Sequence, residues 1–129
     1  MRKIVLGLMA AVFMLGGCAT PPPVKNISAA PVVGPSGRAL SLDEVGKAIT
    51  RAGGTMGWQM KQMESGYILG TLKLRGHVAV ADIRYSATSY NITYKDSTNL
   101  NYDGKSIHSN YNGWISNLDR AIKTQLATL

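Results

Sequence analysis

Residues 58–95 read WQMKQMESGYILGTLKLRGHVAVADIRYSATSYNITYK, and the fold is read from how the turns in this stretch phase its apolar residues. Three turn signals interrupt the alternation. A three-residue loop at Glu64-Ser65-Gly66, with Gly66 left-handed, predicts Met63 opposite Tyr67, Met60 opposite Gly70 and Trp58 opposite Leu72. A two-residue turn at Arg75-Gly76 sets Leu72 opposite Ala79 and Ile68 opposite Ile83. A four-residue loop over residues 86–89 sets Tyr85 opposite Tyr90 and Ile83 opposite Ile92. A slip of one residue in any turn would send a strand's side chains to the wrong face, so the three registers test one another. They agree. Trp58, Met60, Ile68, Leu72, Leu74, Ala79, Ala81, Ile83, Tyr85, Tyr90, Ile92 and Tyr94 all fall on one side, which predicts a four-stranded antiparallel meander with one buried face.

Working outward, Ser41-Leu42-Asp43-Glu44 has the pattern of a capping box. Leu42, Val45, Ala48, Ile49 and Ala52 follow at helical spacing, and Gly53-Gly54 marks the stop, predicting a helix over residues 42–53. After a polar stretch, residues 96–109, the residues Trp114, Ile115, Leu118, Ile122 and Leu126 recur at helical spacing. Two amphipathic helices and one apolar sheet face make an α+β two-layer sandwich, αββββα, with both helices on the same face.

The other face takes Lys61, Thr71, Lys73, Asp82, Arg84, Thr93 and Lys95, with Gln59, Leu69, Val78, Val80 and Asn91. Four cations from four strands stand against one acid. The ordinary reading is a solvated face whose lysines discourage edge pairing and aggregation. The functional reading makes Lys61, Lys73, Arg84 and Lys95 a candidate binding face for an anionic envelope component or an envelope protein.

The N-terminus supplies the compartment. Arg2 and Lys3 precede an apolar run over residues 4–15, too short for a bilayer span and of the length of a signal-peptide core. The run closes in Leu15-Gly16-Gly17-Cys18. This resembles the lipobox of bacterial lipoproteins, and the resemblance implies a lipid on Cys18, cleavage before it and acylation of the new amine. Cys18 is the only cysteine, so no internal disulfide exists. Ala19, where Asp would retain an enterobacterial lipoprotein in the inner membrane, implies by the same resemblance an outer-membrane lipid anchor, the periplasmic side being favoured. The expected organisation is a signal peptide over residues 1–17, a lipidated flexible tether over 18–40 rich in Pro, Gly, Ala and Ser, and one domain over 41–129. Losing Arg2 and Lys3 takes the formal net charge from +7 to +5. Nucleic acid would suit that charge but not the compartment.

The stretch from Arg84-Tyr85-Ser86 to Tyr102-Asp103, with Asn110-Tyr111-Asn112-Gly113-Trp114-Ile115 and Asn117-Leu118, resembles small proteobacterial lipoproteins of uncharacterised function. The resemblance implies location and fold, and carries no activity.

Catalytic patterns are sparse. His77 and His108 are the only histidines, with no H-x-x-x-H or C-x-x-C spacing beside them. No G-x-S-x-G elbow occurs. The seven acids, Asp43, Glu44, Glu64, Asp82, Asp96, Asp103 and Asp119, are scattered. The Asn99 to Gly104 loop lacks EF-hand spacing and reads as an Asn/Asp-stabilised turn. The aromatic and amide-rich set of Tyr85, Tyr90, Tyr94, Tyr102, Tyr111, Trp114, Asn99, Asn101, Asn110 and Asn112 would suit a sugar or peptide groove. The reading preferred here buries Tyr85, Tyr90, Tyr94 and Trp114. No cofactor and no metal are expected. The function read from the sequence is a non-enzymatic, lipid-anchored envelope protein with a binding or structural role; the alternative is a small hydrolase or transferase acting on cell-wall material.

Overall fold

Ser41 opens the first helix as its sequence requires. In the structure, a computed structural model in which residues 20–129 are described, the Ser41 hydroxyl accepts from the Glu44 N–H and the Glu44 carboxylate accepts from the Ser41 N–H. Arg38 also reaches the Glu44 carboxylate and, with Ser41, holds its pKa below the usual value. Helix α1 spans Leu42–Thr55 and buries Val45, Ala48, Ile49 and Ala52.

The expected stop at Gly53-Gly54 is two residues early. Both glycines lie inside α1, which ends where Gly57 turns left-handed at φ 85°. The reason Gly53 is small is packing: a Cβ there would collide with the Met60 side chain, and one at Gly46 with the Tyr85 ring. The two glycines let α1 settle directly onto the sheet.

The meander forms over β2 (Gln59–Glu64), β3 (Tyr67–Leu74), β4 (His77–Tyr85) and β5 (Ser89–Thr98). Met60 faces Gly70, Ile68 faces Ile83, Leu72 faces Ala79, Ile83 faces Ile92 and Tyr85 faces Tyr90, as the turns predicted. One register detail differs. Glu64, not Met63, stands opposite Tyr67, because Met63 is extruded in a bulge and is exposed. Leu74, at the turn, is exposed too. A second bulge makes Lys95 the extra residue between Tyr94, opposite Ala81, and Asp96, opposite Val80.

The sheet has a fifth strand. β1 (Ile27–Pro31) pairs antiparallel with β5, giving the order β1-β5-β4-β3-β2. This corrects the expected flexible tether across residues 18–40, because described residues 22–40 of it are built onto the domain. Pro22 accepts from the Ile107 N–H, the Val24 N–H donates to the Lys105 carbonyl, and Leu40 is buried. The outer edge of β5 would otherwise present unpaired backbone groups. Asparagines act as clips along this segment. The Asn91 side chain accepts from the Ala29 N–H at 2.8 Å, that of Asn26 from the Tyr94 N–H at 2.9 Å, and that of Asn112 from the Lys25 N–H at 2.8 Å.

Helix α2 (Ser109–Ala127) is capped by His108, whose Nδ1 accepts from the Asn110 N–H. It buries Tyr111, Ile115, Leu118, Ile122 and Leu126. Trp114 is only half-buried, a correction to its expected place in the core. The stripe is centred between Tyr111 and Leu126, which leaves residue 114 on its flank. Tyr111 meets Tyr94 edge-on, and the buried Tyr90 hydroxyl donates to Asp119. Burial pushes the pKa of both Tyr90 and Tyr111 well above the ordinary tyrosine value. Both helices pack on one face of the sheet, an α+β two-layer fold.

Candidate functional site: the open sheet face

The register that buries the apolar set turns the opposite face of β2 to β5 outward, and among the described residues no helix covers it. Lys61, Leu69, Asp82 and Thr93 form one row across four strands. Glu64, Tyr67, Arg84 and Asn91 form the next, and the bulge puts Asp96 on this face opposite Val80, so three acids stand here where one was expected. Lys73 pairs with Val78, and Lys95 joins from its bulge. The four cations predicted for this face are therefore all on it, each exposed, while Leu69, Val78 and Val80 are half-buried beside them.

They are not one evenly spaced patch. Asp82 is the hub of the larger group. Its carboxylate accepts from the Tyr67 hydroxyl, and Lys95 Nζ lies 3.7 Å away. The Arg84 guanidinium sits 4.1 Å above the Tyr67 ring, a cation–π contact. The Asp82 hydrogen bond raises the Tyr67 pKa, so the phenol stays a donor. Lys61 lies in the row of Asp82, two strands away, roughly 10 Å at normal strand spacing. Lys73 lies four residues along β3 from Leu69, a rise of roughly 13 Å. Both separations exceed the screening length of about 8 Å at physiological salt, so there only Arg84 and Lys95 act together beside Asp82 and Tyr67, with Lys61 and Lys73 as outliers.

Tyr67 was missed by the sequence reading, although its odd position on β3 places it with Leu69, Thr71 and Lys73. The bond to Asp82 joins residues on adjacent strands that are diagonal in register, a contact a long side chain reaches.

A concavity of about 570 Å³ lies between α1 and the end of the sheet, lined by Asp43, Gly46, Lys47, Thr50, Gln62 and Tyr85 among others. The Tyr85 hydroxyl shares hydrogen bonds with the Gln62 amide. The groove offers one carboxylate, Asp43, which is paired with Lys47 at 3.0 Å. The two-carboxylate hydrolysis that a glycosidase uses would need a second. His77 and His108 lie elsewhere, with ring centroids 6.3 Å apart. His77 Nδ1 donates to the Asn99 carbonyl, and His108 Nδ1 caps α2. Among the described residues no three His, Cys, Asp or Glu side chains are grouped to hold a metal ion. The lipobox, Leu15, Gly16, Gly17 and Cys18, lies outside the described residues.

No family model, curated protein or solved structure matches the chain, so its chemistry is read from its own residues.

Proposed function

We propose that this protein is a lipid-anchored, non-enzymatic component of the bacterial envelope whose uncovered sheet face docks an anionic partner. The observation that carries the reading is the grouping of Arg84 and Lys95 around Asp82 and Tyr67, with Lys61 at the end of the same row, on a face that neither helix covers. Arg84 is held in place on the Tyr67 ring at the centre of this group. Held there, Arg84 has less side-chain entropy to lose when an anion binds. Leu15-Gly16-Gly17-Cys18 supports the anchor and the compartment.

Two experiments test the reading. Cys18→Ser should leave a precursor that takes up no labelled fatty acid; normal processing and acylation would defeat the anchor. The docking face is tested on purified peptidoglycan sacculi, which present carboxylates on the periplasmic side. Replacing Lys61, Arg84 and Lys95 by Gln should lower binding about tenfold or more at low salt, since the screening length grows to roughly 30 Å near 0.01 M and the three charges then act together. Lys73→Gln alone should change it less than about twofold, as a single charge and the one farthest from Asp82. Binding that ignores both salt and the triple substitution would defeat the face.

A further inference from the structure

The chain enters the domain at a defined point. Pro23 stands opposite Ser106, the Ile107 N–H donates to the Pro22 carbonyl at 3.1 Å, and Asn112 donates to the Pro23 carbonyl at 2.9 Å. Traced back from Val24, antiparallel to residues 105–107, the chain leaves beside His108 and the start of α2. The His108 ring lies near that of His77, which follows the β3–β4 turn. Asn99 ties in the same turn by donating to the Gly76 carbonyl at 2.8 Å. The exit point and the β3–β4 turn therefore belong to one end of the molecule. Pro31, Val33 and Leu126 meet at the other.

Cys18 and Pro22 are four residues apart, so fully extended chain between them spans at most about 14 Å. The headgroup layer of a bilayer is itself roughly 5–8 Å thick on each side. A lipid on Cys18 therefore holds this end within about 6–9 Å of the headgroup surface, within reach of its long exposed side chains. The residues there suit the contact: Lys73, Arg75 and Lys105 are exposed, and Leu74 at the turn is 42% exposed. The nearby acid, Asp103, is kept ionised by the backbone N–H groups of Lys105 and Ser106, one negative charge against the three cations. Cations around an apolar tip are the composition that anionic headgroups attract.

We propose that the short link seats the β3–β4 end of the domain on the membrane, with Lys73, Leu74, Arg75 and Lys105 against anionic phospholipid headgroups. This rests on the lipidation of Cys18 proposed above. The strands then run away from the membrane, and the docking group around Asp82 is presented sideways to the periplasm.

The test uses residues 18–129, which hold every described element, with the single cysteine, Cys18, coupled to a maleimide lipid in phosphatidylethanolamine–phosphatidylglycerol vesicles. Lysines are footprinted with a water-soluble amine reagent, each against its own rate for the uncoupled protein. Labelling of Lys73 and Lys105 should fall about threefold or more through contact with the interface, while Lys47 and Lys123 keep their rates. Equal rates for all four would overturn the proposal. Inserting about 20 Gly/Ser residues between Thr20 and Pro21, a coil of roughly 25 Å, should restore the labelling. Undiminished protection with that spacer would overturn the role of the short link. The coupling is chemical, so these outcomes stand apart from the fatty-acid experiment, whose failure would remove the cellular anchor instead.

Discussion

Tyr111→Ala should lower the free energy of unfolding by about 3–5 kcal/mol, the cost of emptying a large buried aromatic site. Small domains are stable by about 5–15 kcal/mol, so the variant should sit near the edge of folding at physiological temperature. Tyr111 has no exposed surface; it lies in the stripe of α2 and meets Tyr94 edge-on beneath the helix. Its hydroxyl, however, is buried without a hydrogen-bond partner among the described residues. Tyr111→Phe should therefore leave stability unchanged or raise it by about 1 kcal/mol, since an unmet buried polar group is removed. Trp114→Ala, at a half-buried site on the flank of the same stripe, should cost less than Tyr111→Ala. Urea unfolding of the three variants checks all of this. Equal losses from Tyr111→Ala and Trp114→Ala would mean that the rotation of α2 about its axis is wrong.

Removing residues up to 33 should cost about 3 kcal/mol, where loss of a flexible leash would cost nothing. The estimate takes Ala30 as buried and Val24, Ile27 and Val32 as half-buried against the core, at roughly 1.5–3 kcal/mol for each large side chain fully buried. The truncation also uncovers the outer edge of β5. A bare edge is a template for intermolecular pairing, so the shortened chain should self-associate as its concentration rises. Denaturant midpoints and sedimentation of residues 18–129 and 34–129 make the comparison. Identical midpoints would show that β1 contributes nothing, and would also remove the fixed exit point on which the membrane seating depends.

Both predictions arise where local pattern and tertiary structure part. The meander was legible because each turn constrained the next. Gly66, the Arg75-Gly76 pair and the loop over residues 86–89 are short-range signals, and the two-residue side-chain period converts them into a buried face. The Ser41 capping box was legible for the same reason, since all its partners lie within four residues. The four cations of the open face followed from that alternation.

What the chain's local order could not reveal involves partners far apart in sequence. Ile27 meets Ile92 and Pro23 meets Ser106, and nothing in a Pro- and Ala-rich stretch announces that a strand edge waits for it some sixty residues on. Helical spacing identified α2, but Tyr111 and Trp114 both fit an apolar stripe, and only the position of the sheet beneath chose between them. Gly53 looked like a stop because glycine is a poor helix former, yet the nearness of Met60 requires it inside the helix. The clustering of Arg84 and Lys95 around Asp82 and Tyr67, with Lys61 and Lys73 farther off, depends on strand rows and a bulge at Lys95. By itself the sequence determined the alternation, the positions of the turns, the Ser41 cap and the candidate lipid site, all of them properties of neighbouring residues. The tertiary structure decided the fifth strand, the rotation of α2 and the grouping of charge, because each depends on which distant surfaces bury one another.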